Sequence, residues 1–150
     1  MRVMAFEREK DVDECVAQHV VQAVVSGEAQ NVMLALGRSP LNAYQALAKR
    51  REEGRFPTKQ LNVVQLDGYW DLPPGDHRAL GKWLDSAVLE PWQVDHHQVV
   101  RLDESCSDEA SVCRGYEKDV SSLGGLDLAV LGIGPNGHLA GLSGLSDLNR

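Results

Sequence analysis

The amino-acid sequence predicts an α/β fold in which a mostly parallel sheet carries helices on both faces. Two observations predict this class. Short apolar runs alternate with amphipathic helical patterns along the 150 residues, which is typical of βαβ units. The apolar runs are nearly continuous, as expected of strands that are covered on both faces. We therefore expect a Rossmann-like sheet that forms one domain over residues 1–150.

The first half of the chain supplies one helix and then two strands joined by a second helix. Apolar residues at three- and four-residue spacing predict a helix over Asp13–Val25, with Gly27 as its stop signal. Asn31–Leu36 is the first predicted strand, and a helix over Leu41–Arg51 follows it. Leu61–Leu66 is the second predicted strand.

The second half continues the alternation. A helix is predicted over Asp76–Leu89 and a third strand over Val99–Leu102. A helix over Ser107–Leu123 then leads to Leu126–Ile133, which has the most apolar strand pattern of the chain. A doubly wound sheet would continue with another helix and further strands. We therefore expect the sheet to be incomplete at the C-terminus.

Composition and charge exclude several classes of partner. The net charge of −7 disfavours binding to nucleic acid and to anionic membranes. Small anions remain possible ligands, because a helix N-terminus can bind them locally. The three cysteines form no CxxC pair, so we expect free thiols rather than disulfides or a zinc site. The charged N-terminus lacks the apolar run of a signal peptide. We expect a cytoplasmic protein.

Three loops follow predicted strands and contain residues suited to binding or catalysis. They are Gly37–Pro40, Asp67–Pro74 and Gly134–His138. Ligands of open α/β sheets bind beyond the carboxyl ends of the strands, where all three loops would meet. The sequence therefore predicts one site formed by these loops.

The first loop is a candidate phosphate site. Gly37 permits close approach of the backbone, Arg38 can pair with a phosphate, and the Ser39 hydroxyl can hydrogen-bond to it. Ser39 followed by Pro40 also matches an ordinary helix N-cap. Both interpretations remain open, and a helix N-terminus itself attracts anions.

The second loop contains a candidate general base. Asp67 directly follows an apolar strand, where partial burial would raise the pKa of its carboxyl group. Alternatively, Asp67 forms an Asx-turn across Gly68. Trp70 either lines a sugar pocket or packs within the loop.

The third loop contains a candidate proton shuttle. Gly134 and Gly137 form a tight turn before His138, and a histidine can transfer protons near neutral pH. A purely structural histidine that hydrogen-bonds loop carbonyls is the alternative. Because the glycine pattern lies late in the chain without the expected acidic partner, it is not a dinucleotide-binding fingerprint.

Taken together, the three loops resemble the glucosamine-6-phosphate deaminase/galactosamine-6-phosphate isomerase family, which shares its fold with 6-phosphogluconolactonases. Leu34–Tyr44 (LALGRSPLNAY) is similar to the family's TGxTPxxxY phosphate loop. Gln65–Pro73 (QLDGYWDLP) is similar to xxDEYxxLP. Gly124–Ala140 (GGLDLAVLGIGPNGHLA) is similar to the start of GGIDLxxLGIGxDGHIAFNEP. The resemblance covers nearly the whole chain in the family's order.

The resemblance implies a reaction and a role for each loop. Asp67 would move a proton between C1 and C2 of the opened sugar, and His138 would assist ring opening. Residues 37–39 would bind the phosphate, and Gly134, Gly137 and Trp70 would line the substrate pocket. An amino-sugar 6-phosphate would become a ketose 6-phosphate and ammonia, without a metal or an organic cofactor.

The chain also departs from the family pattern. Asn136, a third catalytic candidate, stands where deaminases usually have Asp and where galactosamine-type relatives have Asn. Ser143 replaces the family's Glu. Two other functions therefore remain open: a 6-phosphogluconolactonase-type hydrolase, and a non-catalytic sugar-phosphate-binding paralogue or effector domain. The sugar epimer and the formation of a homo-oligomer also remain open.

Overall fold

Four parallel strands form a single sheet. We describe residues 2–73, 75–134 and 137–140 of a computed structural model. The strand order in the sheet is β3-β2-β1-β4, and each strand is parallel to its neighbours. The strands are β1 (Asn31–Leu34), β2 (Asn62–Gln65), β3 (Val99–Val100) and β4 (Leu128–Val130). The predicted fold class is confirmed.

Helices flank the sheet on opposite faces. The five α-helices of the described chain are α1 (Glu9–Ser26), α2 (Leu41–Glu52), α3 (Leu80–Leu84), α4 (Glu90–Trp92) and α5 (Glu109–Ser122). The connections β1–α2–β2 and β2–α3–β3 advance across the sheet in one direction, whereas α5 leads back to β4. Because such crossovers are right-handed, α2 and α3 lie on one face and α5 lies on the other.

Helix α1 is longer than predicted because it begins four residues earlier, at Glu9 rather than Asp13. Glu9 and Asp11 place negative charge in the first turn, where it interacts favourably with the positive end of the helix dipole. Arg8 also donates to both carboxylate oxygens of Asp11, at 2.8 Å each. The charged residues Glu9 and Asp11 are thus part of the helix.

The third predicted helix begins later and contains a π-helical turn. Asp76 Oδ1 accepts the backbone N–H of Arg78 at 2.8 Å, so Asp76 belongs to a turn, and α3 begins only at Leu80. A π-helical turn over Asp85–Leu89 joins α3 to α4. Pro91 lies just beyond this turn and cannot donate a main-chain hydrogen bond, which accounts for the break in the α-helical pattern. A 3₁₀ turn over His96–Gln98 leads into β3.

The strands are shorter than the apolar runs, although the hydrogen-bonding ladder extends past their ends. The N–H of Ala35 donates to the carbonyl of Val130 at 2.9 Å, and the N–H of Leu66 donates to Leu34 at 3.3 Å. These bonds hold the first residues of the following loops against the sheet. The carboxyl ends of β1, β2 and β4 are thereby fixed side by side.

Aromatic residues form the centre of the core between the sheet and α2. Trp92 packs edge-to-face against Tyr44 and Phe56, with ring centroids 5.6 and 5.1 Å away, and all three are buried. The Trp92 indole N–H donates to the Tyr44 carbonyl at 3.0 Å.

Within the described residues, no helix has both the length and the apolar character needed to cross a bilayer.

Candidate active site

The three loops meet at the carboxyl ends of the strands. A cavity of about 220 Å³ opens there between β1, β2 and β4. The residues that line it come from the segments after these strands: Ala35, Leu36, Ser39, Pro40, Leu66, Asp67, Gly132, Ile133, Gly134, His138 and Ala140. The structure thus brings together Ser39, Asp67 and His138, one candidate from each loop.

Asp67 lines this cavity and has a buried acceptor atom. Its Oδ1 atom is buried and has no hydrogen-bond partner among the described residues. Burial raises the pKa of the Asp67 carboxyl group above its ordinary value of 3.8, and the negative charge of Glu104 raises it further. The N–H of Tyr69, which an Asx-turn would use, donates to Glu104 instead. The Asx-turn alternative is therefore wrong.

Two tyrosines contribute to the surroundings of Asp67. The Tyr44 hydroxyl donates to the Ala35 carbonyl at 2.8 Å, and the Tyr116 hydroxyl donates to the Gln65 carbonyl at 2.6 Å. Burial raises the pKa of both phenols, and the charge of Asp67 adds to the effect. The pKa of Tyr116 rises to about 12. Both hydroxyls therefore remain protonated and keep donating at neutral pH.

The glycine turn brings the His138 ring against the backbone. A Cβ added to Gly134 would lie 2.0 Å from His138 Cε1, so no other residue fits at this position without moving the ring. The N–H of Gly134 donates to the His138 carbonyl, and the N–H of Gly137 donates to the Gly134 carbonyl, both at 2.9 Å. The loop thus folds back on itself and holds the half-buried His138 at the cavity.

The Ser39 side chain does not cap α2. The N-cap position is Pro40, and no side-chain hydrogen bond is made there. The predicted N-cap role of Ser39 is therefore wrong, because the helix begins one residue later than that role requires. Ser39 is exposed at the cavity instead, beside the first turn of a 12-residue helix.

Other candidates lie away from the cavity or outside the described chain. Of the described ones, Gly37, Arg38, Gly137 and Trp70 are not part of the cavity lining. Arg38 and Trp70 are exposed to solvent. Asn136 and Ser143 lie outside the described residues, so their predicted roles have no structural counterpart here.

Glu104 was not predicted from the sequence, although its carboxylate accepts several backbone hydrogen bonds near the site. It follows β3, and its carboxylate accepts the N–H groups of Tyr69, Leu80 and Gly81 at 2.9, 3.0 and 2.8 Å. Gln65 was also missed; its amide N donates to the Asp67 carbonyl at 3.0 Å. The position of Glu104 after a parallel strand was the available signal, since the same rule identified the other three loops.

Comparison with known proteins shows which family the chain belongs to. The family model described as glucosamine-6-phosphate isomerases/6-phosphogluconolactonase matches residues 6–144. The chain belongs to this family. The resemblance inferred from the three loop motifs is confirmed.

Individual relatives support the same assignment. The chain is 29% identical over 139 residues to a glucosamine-6-phosphate deaminase of Halothermothrix orenii, covering 93% of this chain and 58% of that protein. It is 31% identical over 139 residues to the Streptomyces coelicolor enzyme of the same name, again covering 93% of this chain and 53% of the relative. The family member described here therefore spans little more than half the length of these relatives.

Solved structures show the same fold. A monomeric glucosamine-6-phosphate deaminase superimposes with a TM-score of 0.86 at 24% identity, over 95% of this chain and 61% of that one. The 6-phosphogluconolactonase of Thermotoga maritima superimposes with a TM-score of 0.78 at 24% identity, over 99% of this chain and 66% of that one. The fold is thus common to both branches of the family.

Proposed function

We propose that this site isomerises and deaminates an amino-sugar 6-phosphate, with glucosamine-6-phosphate as the principal substrate. Two observations about Asp67 carry the proposal: the residue lines the cavity together with His138, and its buried Oδ1 has no hydrogen-bond partner among the described residues. A desolvated carboxylate without a competing donor is a stronger base and is available to a substrate C–H bond. The deaminase names of the relatives support the same chemistry.

The first step is ring opening at His138. The imidazole takes the proton of the C1 hydroxyl and returns one to the ring oxygen, which leaves C1 as an aldehyde. Histidine suits this exchange because its ordinary pKa lies near neutrality. The turn at Gly134 supports the role by fixing the ring at the cavity.

Asp67 then moves a proton from C2 to C1. It removes the C2 proton, the released electron pair forms a C1–C2 double bond, and the aldehyde oxygen takes a proton from His138. Asp67 next returns its proton to C1, while the nitrogen lone pair forms a C2 iminium group. Water adds to C2, ammonia leaves, and the remaining proton returns to His138. The products are a ketose 6-phosphate and ammonia.

The loop after β1 supplies the proposed phosphate site. Ser39 lines the cavity, and the first turn of α2 has backbone N–H groups that no side chain caps. Such a turn favours an anion. Gly37 and Arg38 precede Ser39, and the exposed Arg38 side chain would pair with the phosphate once substrate binds. Gly137 and Trp70 remain predicted substrate contacts, and Asn136 remains a predicted catalytic residue. The cytoplasmic location also remains a prediction from the sequence.

Ammonia release tests the proposal. The 150-residue chain is incubated with glucosamine-6-phosphate and galactosamine-6-phosphate, and ammonia is measured with a coupled assay. We expect Asp67→Asn and His138→Gln each to lower kcat by about 10²-fold or more. The control Asp71→Asn, an exposed residue of the same loop, should retain wild-type turnover. An absence of ammonia release from both sugars with the wild-type chain would contradict the proposal.

The two alternative functions predict different results when the same protein is assayed. A 6-phosphogluconolactonase would hydrolyse its lactone, which a pH-stat detects as released acid, and would leave both amino sugars unchanged. A non-catalytic paralogue would bind glucosamine-6-phosphate more tightly than glucosamine without turnover, and calorimetry measures this difference. Either result would replace the deaminase assignment.

A further inference from the structure

We propose that Glu104 is the positioning residue for Asp67, because it ties together the two ends of the loop that carries this base. This inference rests on the proposed function for the role of Asp67, whereas the contacts of Glu104 stand by themselves. The Asp67 loop consists of the described residues 66–73 and 75–79, between β2 and α3. Glu104 belongs to the segment between β3 and α5 and approaches the loop from the neighbouring strand.

The two carboxylate oxygens of Glu104 accept hydrogen bonds from backbone N–H groups near both ends of the loop. Oε1 accepts the N–H of Tyr69 at 2.9 Å and the N–H of Leu80 at 3.0 Å. Oε2 accepts the N–H of Gly81 at 2.8 Å and faces the Gln65 amide nitrogen at 3.5 Å. Since Tyr69 follows Asp67 by two residues and Leu80 begins α3, one side chain closes the loop at both ends.

The backbone of the loop is shaped to receive this side chain. A Cβ added to Gly68 would lie 2.8 Å from Glu104 Cγ, closer than a real Cβ approaches, and 3.0 Å from Cδ. A Cβ added to Gly81 would lie 3.3 Å from Oε2. The N–H of Leu72 also donates to the Glu104 carbonyl at 2.8 Å. The residue next to Asp67 is therefore a glycine that accommodates Glu104.

The charge of Glu104 has a further consequence for Asp67. The titratable groups around Asp67 are Glu104, the phenols of Tyr44 and Tyr116, and His138, which lines the same cavity. The two phenols remain neutral at physiological pH, so Glu104 is the negative neighbour of Asp67 among the described residues. Its charge adds to burial in raising the pKa of Asp67. Glu104 thus fixes the position of the base and also strengthens it.

Amide exchange and the titration of Asp67 test both parts of the proposal, and neither measurement needs turnover. Glu104→Gln keeps the size of the side chain but replaces one acceptor oxygen with an NH₂ donor. We expect hydrogen exchange at Tyr69, Leu80 and Gly81 to accelerate by about tenfold or more. We also expect the pKa of Asp67, followed by the ¹³C shift of its carboxyl carbon, to fall toward 3.8.

Two further variants separate this role from general destabilisation. Glu109→Gln removes an exposed carboxylate from the first turn of α5 and should change neither readout. Glu104→Asp keeps the charge, so the pKa of Asp67 should remain raised even where exchange accelerates. If Glu104→Gln does not fold, Gly68→Ala displaces Glu104 through the added Cβ and should accelerate exchange at the same three amides, with Gly115→Ala as the control.

The outcomes decide the proposal. Unchanged exchange at these amides, or an unmoved titration of Asp67 in Glu104→Gln, overturns it. A failure of the wild-type chain to release ammonia would reject the proposed function and would leave these two measurements intact. In active protein, the acidic limb of the kcat profile should shift to lower pH in Glu104→Gln, in parallel with the pKa of Asp67.

Discussion

The imidazole of His138 lies directly against the backbone of Gly134, because a Cβ at position 134 would approach Cε1 to 2.0 Å. Position 134 therefore controls where the ring of the proposed proton shuttle lies. Gly134→Ala should displace the ring and lower kcat for ammonia release by about 10²-fold, since small misplacements of a catalytic group cost that much.

Gly115→Ala is the matched control for this substitution. Gly115 lies within α5, and a Cβ added there meets nothing within 4 Å. Alanine is the better helix former, so this variant should retain turnover and gain about 0.5–1 kcal/mol in unfolding free energy. Wild-type turnover in Gly134→Ala would show that the position of His138 does not matter for catalysis.

Asp67 should also influence how stability depends on pH. Its pKa is raised in the folded state, so the fold favours the protonated form, and stability falls as the pH rises from about 3.8 through the folded-state pKa. Asp67→Asn removes this loss. We expect the variant to be more stable than wild type at neutral pH and to converge with it below about pH 3.8.

Urea unfolding at a series of pH values measures this difference. Asp71→Asn provides the comparison, because Asp71 is exposed and has a φ of 52°, which asparagine tolerates. It should change the unfolding free energy by no more than about 0.5 kcal/mol at any pH. A constant offset between Asp67→Asn and wild type across the pH series would argue against a raised pKa.

Asp127 should show the opposite pH dependence. Its Oδ2 accepts the N–H groups of Asn31 and Gln30 at 2.8 and 2.9 Å, which joins the start of β4 to that of β1. These bonds lower the pKa of Asp127, so its contribution to stability is present above about pH 3.8 and is lost as the pH falls through the folded-state value.

Thermal unfolding tests this role. Asp127→Asn should lower Tm at neutral pH, and the difference from wild type should shrink in acid. Asp119→Asn, on the exposed side of α5, serves as the control and should leave Tm nearly unchanged. An equal loss of Tm in acid and at neutral pH would indicate that the charge of Asp127 is not involved.

The aromatic core provides a test of the fold. Trp92→Phe removes volume beside Phe56 and the hydrogen bond from the indole N–H to the Tyr44 carbonyl. It should cost about 1–3 kcal/mol of unfolding free energy, measured by denaturant titration with circular dichroism. The exposed Trp70 allows the same substitution as a control, and Trp70→Phe should cost less than about 0.5 kcal/mol. Similar losses in the two variants would contradict the described packing.

Local sequence patterns predicted the strands and helices well where the apolar residues of the pattern are also the ones that pack in the core. The apolar runs before Gly37 and Asp67 contain β1 and β2, and the run before Gly134 contains β4. Helix starts were harder to place, since the four-residue shift of α1 depends on charges at Glu9 and Asp11 that resemble a polar loop in the sequence.

The sequence by itself determined which loops form the candidate site. Asp67, Ser39 and His138 follow strands of a parallel sheet, and the carboxyl ends of such strands lie at one edge. The family motifs in the same loops led to the correct family. These inferences needed only residue order and the periodicity of apolar side chains, which are properties of short stretches of chain.

Only the tertiary structure decided what each of these side chains contacts. It placed Glu104 on the N–H of Tyr69, 35 residues earlier in the chain, and left Oδ1 of Asp67 without a partner in the described residues. It also showed that Ser39 faces the cavity rather than capping α2. The reason is that such contacts depend on the order and register of the strands, which bring together residues that no local pattern relates.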